Sequence, residues 1–142
     1  FTPTNSPFVI GKAIRLKEGS DVSIFATGHT VWEALEASKK LKENNINSEV
    51  INITTIKPLD EDAILKSIHK TQCAVSAEEH QILGGLGGSI SQLLSKKMPI
   101  PLEFVGVSDQ FGESGKPMDL MKKYKIDRDS ILSAVITVLK RK

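Results

Sequence analysis

Four short apolar runs, each followed by a turn signal and then a helical pattern, constrain the fold of this chain more than any other feature. They are Val22-Ser23-Ile24-Phe25-Ala26, Val50-Ile51-Asn52-Ile53, Cys73-Ala74-Val75 and Leu102-Glu103-Phe104-Val105-Gly106-Val107. Short runs of this kind, bounded by turn residues, read as buried strands. An earlier segment, Ala13-Ile14-Arg15-Leu16, sets apolar against basic residues before Glu18-Gly19-Ser20, as a half-exposed edge strand does. Strands that alternate with helices imply right-handed crossovers and a sheet covered on both faces. The expected fold is α/β: a three-layer α/β/α domain with a five-stranded, mainly parallel sheet and one antiparallel edge strand.

The helices are equally legible. Val31, Ala34, Leu35, Ser38 and Leu41 share one face of a helix expected over residues 30–44, with Glu33, Lys39, Lys40 and Lys42 on the other face. Asp60-Glu61-Asp62 suits the positive end of a short second helix carrying Ala63, Ile64, Leu65 and Ile68. Gly84-Gly85-Leu86-Gly87-Gly88 opens a third, which Met98-Pro99 stops. Asp127 is the expected N-cap of the last helix, with Ile126 placed to pack on Ile131 and with Lys140 and Arg141 at its negative end.

With 142 residues the chain supports one core, burying roughly two-thirds of its unfolded surface. Its composition, 39% hydrophobic and 25% charged, is that of a globular domain, and no apolar run is long enough for a membrane helix. A formal charge of only +2 argues against a dedicated nucleic-acid binder. Cys73 is the only cysteine, so neither an internal disulfide nor a zinc finger can form, and a place in a buried strand makes it inert. Residues 1–7 read as the end of a linker and residues 8–142 as the domain. The start, Phe1-Thr2-Pro3-Thr4, has neither an initiating Met nor the profile of a secretion signal, so an excised or processed segment with a cytoplasmic location is expected.

In open α/β sheets, ligands and partners gather beyond the carboxyl ends of the parallel strands. Here that edge comprises Thr27-Gly28-His29, Thr54-Thr55-Ile56-Lys57, Glu78-Glu79-His80 and Ser108-Asp109-Gln110-Phe111-Gly112-Glu113. Its acids and histidines suit acid-base chemistry or polar contacts. Neighbouring Glu79 and His80 point apart on extended backbone, and no third ligand stands at a metal-binding spacing. The glycine-rich turn at residues 84–89 departs from a dinucleotide fingerprint, since Ile90 stands where a glycine belongs. Residues 112–117 depart from a Walker loop at Gln110 and Pro117. Both read as tight packing turns, and Trp32 reads as a packing or interface residue.

Several of these segments resemble the C-terminal domain of transketolase, most closely the split bacterial and archaeal form. The resemblance rests on Ile10-Gly11-Lys12-Ala13, residues 21–28 (DVSIFATG), Thr55-Ile56-Lys57-Pro58-Leu59-Asp60, Ala77-Glu78-Glu79-His80 with residues 84–87, and residues 109–115 (DQFGESG) with Pro117. It runs in order from about Phe8 to the C-terminus. The Pro-Leu-Asp segment and the Glu-Glu pair are shared with deoxyxylulose-phosphate synthase and with the β subunits of 2-oxoacid dehydrogenases. Either of these is the alternative parent.

The resemblance implies that the complete enzyme moves a two-carbon ketol unit between sugar phosphates of the pentose phosphate pathway, using thiamine diphosphate and magnesium. The family's Gly-Asp-Gly motif does not occur here, and its activating glutamate belongs to the pyrimidine-binding domain. No catalytic, cofactor-binding or metal-binding residue is therefore expected on this chain, which alone should be inactive. Its expected partners are the pyrimidine- and diphosphate-binding domains of the same enzyme, within a homodimer, with no nucleic acid and no membrane. His29, Lys57, Glu78, Glu79, His80, Asp109, Phe111 and Glu113 are the candidates for an interface or regulatory pocket. A different reading makes the domain a regulatory module that binds an anion or nucleotide at the helix start of residues 84–89.

Overall fold

In the computed structural model, which describes residues 6–142, the chain forms β1 (Ile14–Lys17), β2 (Val22–Ala26), α1 (Thr30–Glu43), β3 (Ser48–Asn52), α2 (Glu61–Thr71), β4 (Ala74–Gln81), α3 (Leu86–Lys97), β5 (Leu102–Val107), α4 (Pro117–Lys123) and α5 (Arg128–Leu139). The five strands stand in the order β1-β3-β2-β4-β5. β1 runs antiparallel to β3, and all other pairs are parallel. This is the expected mixed sheet with one antiparallel edge. Residues 1–5 of the expected linker lie outside the described residues.

Alternation along β2 explains the two cores. Val22, Ile24 and Ala26 face a cluster built with Val31, Ala34 and Leu41 of α1, Met121 of α4, and Ile131, Val135 and Val138 of α5. Phe25 faces the opposite cluster, with Ile64 and Ile68 of α2 and Leu86, Ile90 and Leu93 of α3. Period two in the strand thus meets period three to four in helices on both sides. Side-chain oxygens accept from the first turns: Asp60 takes Ala63 N at 3.2 Å and Asp127 takes Ser130 N at 3.0 Å. Ile126 and Ile131 lie in one cluster, as a hydrophobic staple requires.

Four expectations need correction. The third apolar run extends well past Val75, so Glu78, Glu79 and His80 belong to β4 rather than to a loop beyond it. Glu33 does not lie on the solvent face of α1. It is buried, and its carboxylate holds Arg128 by the backbone N at 2.9 Å, Nε at 2.8 Å and Nη2 at 3.0 Å, clasping α1 to the start of α5. This same carboxylate raises the Arg128 guanidinium above its ordinary pKa, chiefly by accepting its hydrogen bonds. The α4 helix was not expected: with Met121 as its one buried residue, it shows no apolar period. Residues 112–116 form an exposed loop that leads into α4 at Pro117; a Cβ on Gly112 would meet open space, and only Gly115 packs closely, where a Cβ would lie 3.1 Å from Leu120 Cδ2.

No helix among the described residues is long and apolar enough to cross a membrane. Cys73 is fully buried just ahead of β4, with Sγ 3.4 Å from Asp21 O, and burial pushes its thiol pKa up. A raised pKa means less thiolate, so a disulfide-exchange reagent at mildly alkaline pH should leave native Cys73 untouched and react with it fully once guanidinium is added. Rapid native labelling, followed by absorbance of the released thiolate, would show that this end of β4 opens readily.

Candidate functional site

The carboxyl edge of the sheet is held by side chains that reach between neighbouring loops. The chain turns sharply after β2 at Gly28, where φ is +60°. Glu79 Oε2 accepts His29 N at 2.9 Å and lies 3.2 Å from His29 Nδ1. Below them the buried Thr30 hydroxyl sits 2.7 Å from Thr27 O and 2.8 Å from Ala77 O, fixing the start of α1 between β2 and β4. After β3, Thr55 Oγ1 accepts Gly11 N at 2.9 Å and Thr54 Oγ1 donates to Lys12 O at 2.6 Å. These bonds stitch the segment before β1 onto the loop that carries Lys57, whose bond to Pro58 is cis.

Glu78 occupies a different environment from its neighbours. It is 1% exposed, and its two carboxylate oxygens accept the backbone N–H groups of Leu86, at 2.7 Å, and Gly87, at 2.9 Å. A buried carboxylate thus satisfies the first turn of α3, where no side-chain cap is present, and its charge suits the positive end of the helix. Gly85 has to be glycine for the same reason: a Cβ there would fall 1.9 Å from Glu78 Oε2. An outside anion would have to evict a carboxylate already supplied by the fold.

The last loop is tied to α4 while its side chains face solvent. Gln81 Nε2 donates to Gln110 O at 2.8 Å, the Tyr124 hydroxyl donates to Phe111 O at 3.0 Å, and Lys123 pairs with Glu113 at 2.6 Å. That last pair raises the pKa of Lys123, chiefly through the hydrogen bond its ammonium donates to Glu113. Phe111 is 99% exposed even though its backbone is anchored, and Leu83, after β4, is 80% exposed. Ile56 and the run Phe8, Val9 and Ile10 add further exposed apolar surface beside Thr55.

Of the expected site residues, His29 and Glu79 are joined by a hydrogen bond. Glu78 lies inside the fold. His80 is exposed, with Nδ1 3.0 Å from Gln81 O, while Lys57 sits on the loop after β3 and Asp109, Phe111 and Glu113 share the loop after β5. Asp109 adopts φ +49° at the turn out of β5. Leu83 and Phe8 to Ile10 were missed by sequence reasoning, while Ile56 lay within the expected edge without being singled out. The available signal was a large apolar residue set directly before a glycine pair, as Leu83 is before Gly84 and Gly85. Trp32 is part-exposed, with Lys39 Nζ 5.7 Å from its ring centroid.

The residues do not fit a thiamine diphosphate–magnesium group. The one glycine-rich helix start is filled by Glu78, and among the described residues no three His, Cys, Asp or Glu side chains cluster as a metal site. What the edge offers is rigidly mounted apolar side chains in a polar surround, a pattern suited to docking.

The family model of the transketolase C-terminal domain matches residues 11–131. Over 138 residues the chain is 44% identical to the 6-deoxy-6-sulfo-D-fructose transketolase subunit SqwH of Clostridium sp. strain MSTE9, covering 97% of this chain and 43% of that protein. It is 42% identical over 135 residues to a putative transketolase C-terminal section of Methanocaldococcus jannaschii, covering 94% of this chain and 42% of the other. A solved split-gene transketolase, described as an inactive β4 tetramer, superimposes with a TM-score of 0.95 at 38% identity, over 99% of this chain and 46% of that one. The chain thus spans less than half the length of these relatives.

Proposed function

Since the chain belongs to the transketolase C-terminal domain family, we propose that it is the assembly domain of a transketolase, docking through its carboxyl edge onto the pyrimidine- and diphosphate-binding domains of the complete enzyme. On this reading the complete enzyme transfers two-carbon ketol units between sugar phosphates, and thiamine diphosphate with magnesium rides on those other domains. The domain itself performs no chemistry. His29, Glu79, His80, Lys57, Asp109 and Glu113 form a polar rim, and Glu78 stiffens the edge from within.

The observation that carries the reading is the exposure of Leu83 and Phe111 on loops whose backbones are hydrogen-bonded in place. Anchored apolar groups lose little entropy on docking, and aromatic anchors dominate interface energies. The solved relative, whose β chains form an inactive tetramer, supports a part in assembly separate from activity.

The test is reconstitution with the two other domains supplied as separate polypeptides. Sedimentation should show a complex, and ketol transfer should require it. The double variant Leu83→Asp/Phe111→Asp should fold normally by circular dichroism yet bind at least about thirtyfold more weakly, the loss of ~2 kcal/mol or more typical of a buried aromatic anchor. Unchanged assembly by that variant, or ketol transfer by this chain alone, would refute the reading.

A further inference from the structure

A concave feature lies between β1, β3 and α2. It is a cleft of about 450 Å³ with an apolar floor of Ala13, Ile51 and Ala63 and with Arg15, Lys66 and Lys70 around it. Two further lining side chains are buried polar groups, Glu49 at 1% and Ser67 at 4% exposure. Glu49 Oε1 accepts Lys70 Nζ at 2.8 Å and lies 3.7 Å from Arg15 Nη1, while Ser67 Oγ donates to Glu49 Oε2. Behind Ser67, the Ser23 hydroxyl stands 2.6 Å from both Ser67 Oγ and Thr71 Oγ1. This chain of hydroxyls locks Glu49, and Glu49 in turn holds the cationic ends of Arg15 and Lys70 at the cleft.

Three cations face two carboxylates, the lining Glu49 and the exposed Glu18 beside it, so the cleft keeps a net positive charge beside a low-dielectric wall, where charge pairing counts for more than in open water. Lys66 makes no ion pair among the described residues. Glu18, exposed on the turn after β1, reaches back across the same cations, with Oε1 2.7 Å from Arg15 Nη2 and Oε2 3.5 Å from Lys70 Nζ. Its carboxylate stands where the oxygens of a small anion would bind.

We propose that this cleft binds a small phosphate-bearing dianion, which displaces the Glu18 carboxylate from Arg15 and Lys70 and engages Lys66. A dianion outcompetes a carboxylate because it brings more charge and a further acceptor oxygen to three donors. The volume is in the range of small-molecule sites, and the apolar floor leaves room for a short carbon skeleton carrying the phosphate.

The experiment follows backbone amide resonances of the isotopically labelled chain at constant ionic strength. Inorganic phosphate, glycerol phosphate, glycerol and chloride are titrated separately. Both phosphate compounds should saturate shifts at Ala13, Ser67 and Lys70, while glycerol and chloride leave them in place. Tighter binding of glycerol phosphate identifies a phosphate monoester as the ligand, and equal binding identifies free phosphate. Lys66→Ala should weaken binding by about tenfold, the value of one charge-assisted hydrogen bond. Glu18→Gln should tighten it by about threefold or more, because the competing charge is gone. Both positions are exposed, so the variants should keep the wild-type spectrum elsewhere. The proposal is overturned if phosphate shifts these amides no more than chloride does, or if neither variant changes the affinity.

Discussion

Glu78→Ala should lower the unfolding free energy by about 3 kcal/mol, because it strands two backbone N–H groups at the buried start of α3 and opens a void beneath Gly85. Both carboxylate oxygens are in use, so the near-isosteric Glu78→Gln cannot replace it. One amide oxygen can accept one N–H, but the amide NH₂ then faces the other donor, and a cost of ~1–3 kcal/mol remains. Urea denaturation gives the stability change. Native-state hydrogen exchange gives its location, with the amides of Leu86 and Gly87 losing protection before those of β2. A stable Glu78→Gln variant with full protection at both amides would mean that the helix start is satisfied in some other way.

The second large effect is expected at Gly19→Ala. A Cβ at this buried position would lie 2.1 Å from the carbonyl carbon of Ser48 and 2.2 Å from Glu49 N, both in the backbone of β3. β3 is paired on both sides, with β1 and with β2, so it cannot yield as a flexible side chain would. A loss of about 3 kcal/mol is expected, at the upper end for overpacking by one methyl group. The cheapest escape is to release the four-residue edge strand β1. Amide exchange along β1 should therefore rise far more than along β4, and equal loss of protection in both strands would show that the whole sheet had been strained instead.

These two residues mark how far the sequence could be read. Glu78 was legible as part of the carboxyl edge, since it follows an apolar run and precedes glycine-rich residues. Its role was not legible, because the donors it satisfies become its neighbours only once α3 folds back on β4. An acid at the end of a buried run, followed by a glycine-rich helix start, is the pattern that could have revealed it. Gly19 read as the end of an edge strand, but its close approach to Ser48 depends on a strand pairing with no local trace. Glu33 fell on the polar side of an amphipathic helix by periodicity. It is nonetheless buried, because Arg128, ninety-five residues further on, arrives against it.

The docking edge divides in the same way. Phe111 could be singled out from sequence, whereas its near-complete exposure follows from how Tyr124 and Gln81 tether the loop around it. The cleft around Glu49 drew no attention in the sequence, since Arg15, Glu18, Glu49, Lys66 and Lys70 are scattered along the chain and meet only where α2 packs against the paired strands β1 and β3.

By itself the sequence determined the alternation of strands and helices, the two-faced sheet, the N-cap at Asp127 and the family, because these rest on periodicity, capping chemistry and ordered motifs within a few residues of one another. Only the tertiary structure decided which charged groups are buried, which glycines admit no side chain and which apolar groups remain in water. Those outcomes depend on distances of a few ångströms between elements far apart in the chain, and no local pattern encodes them.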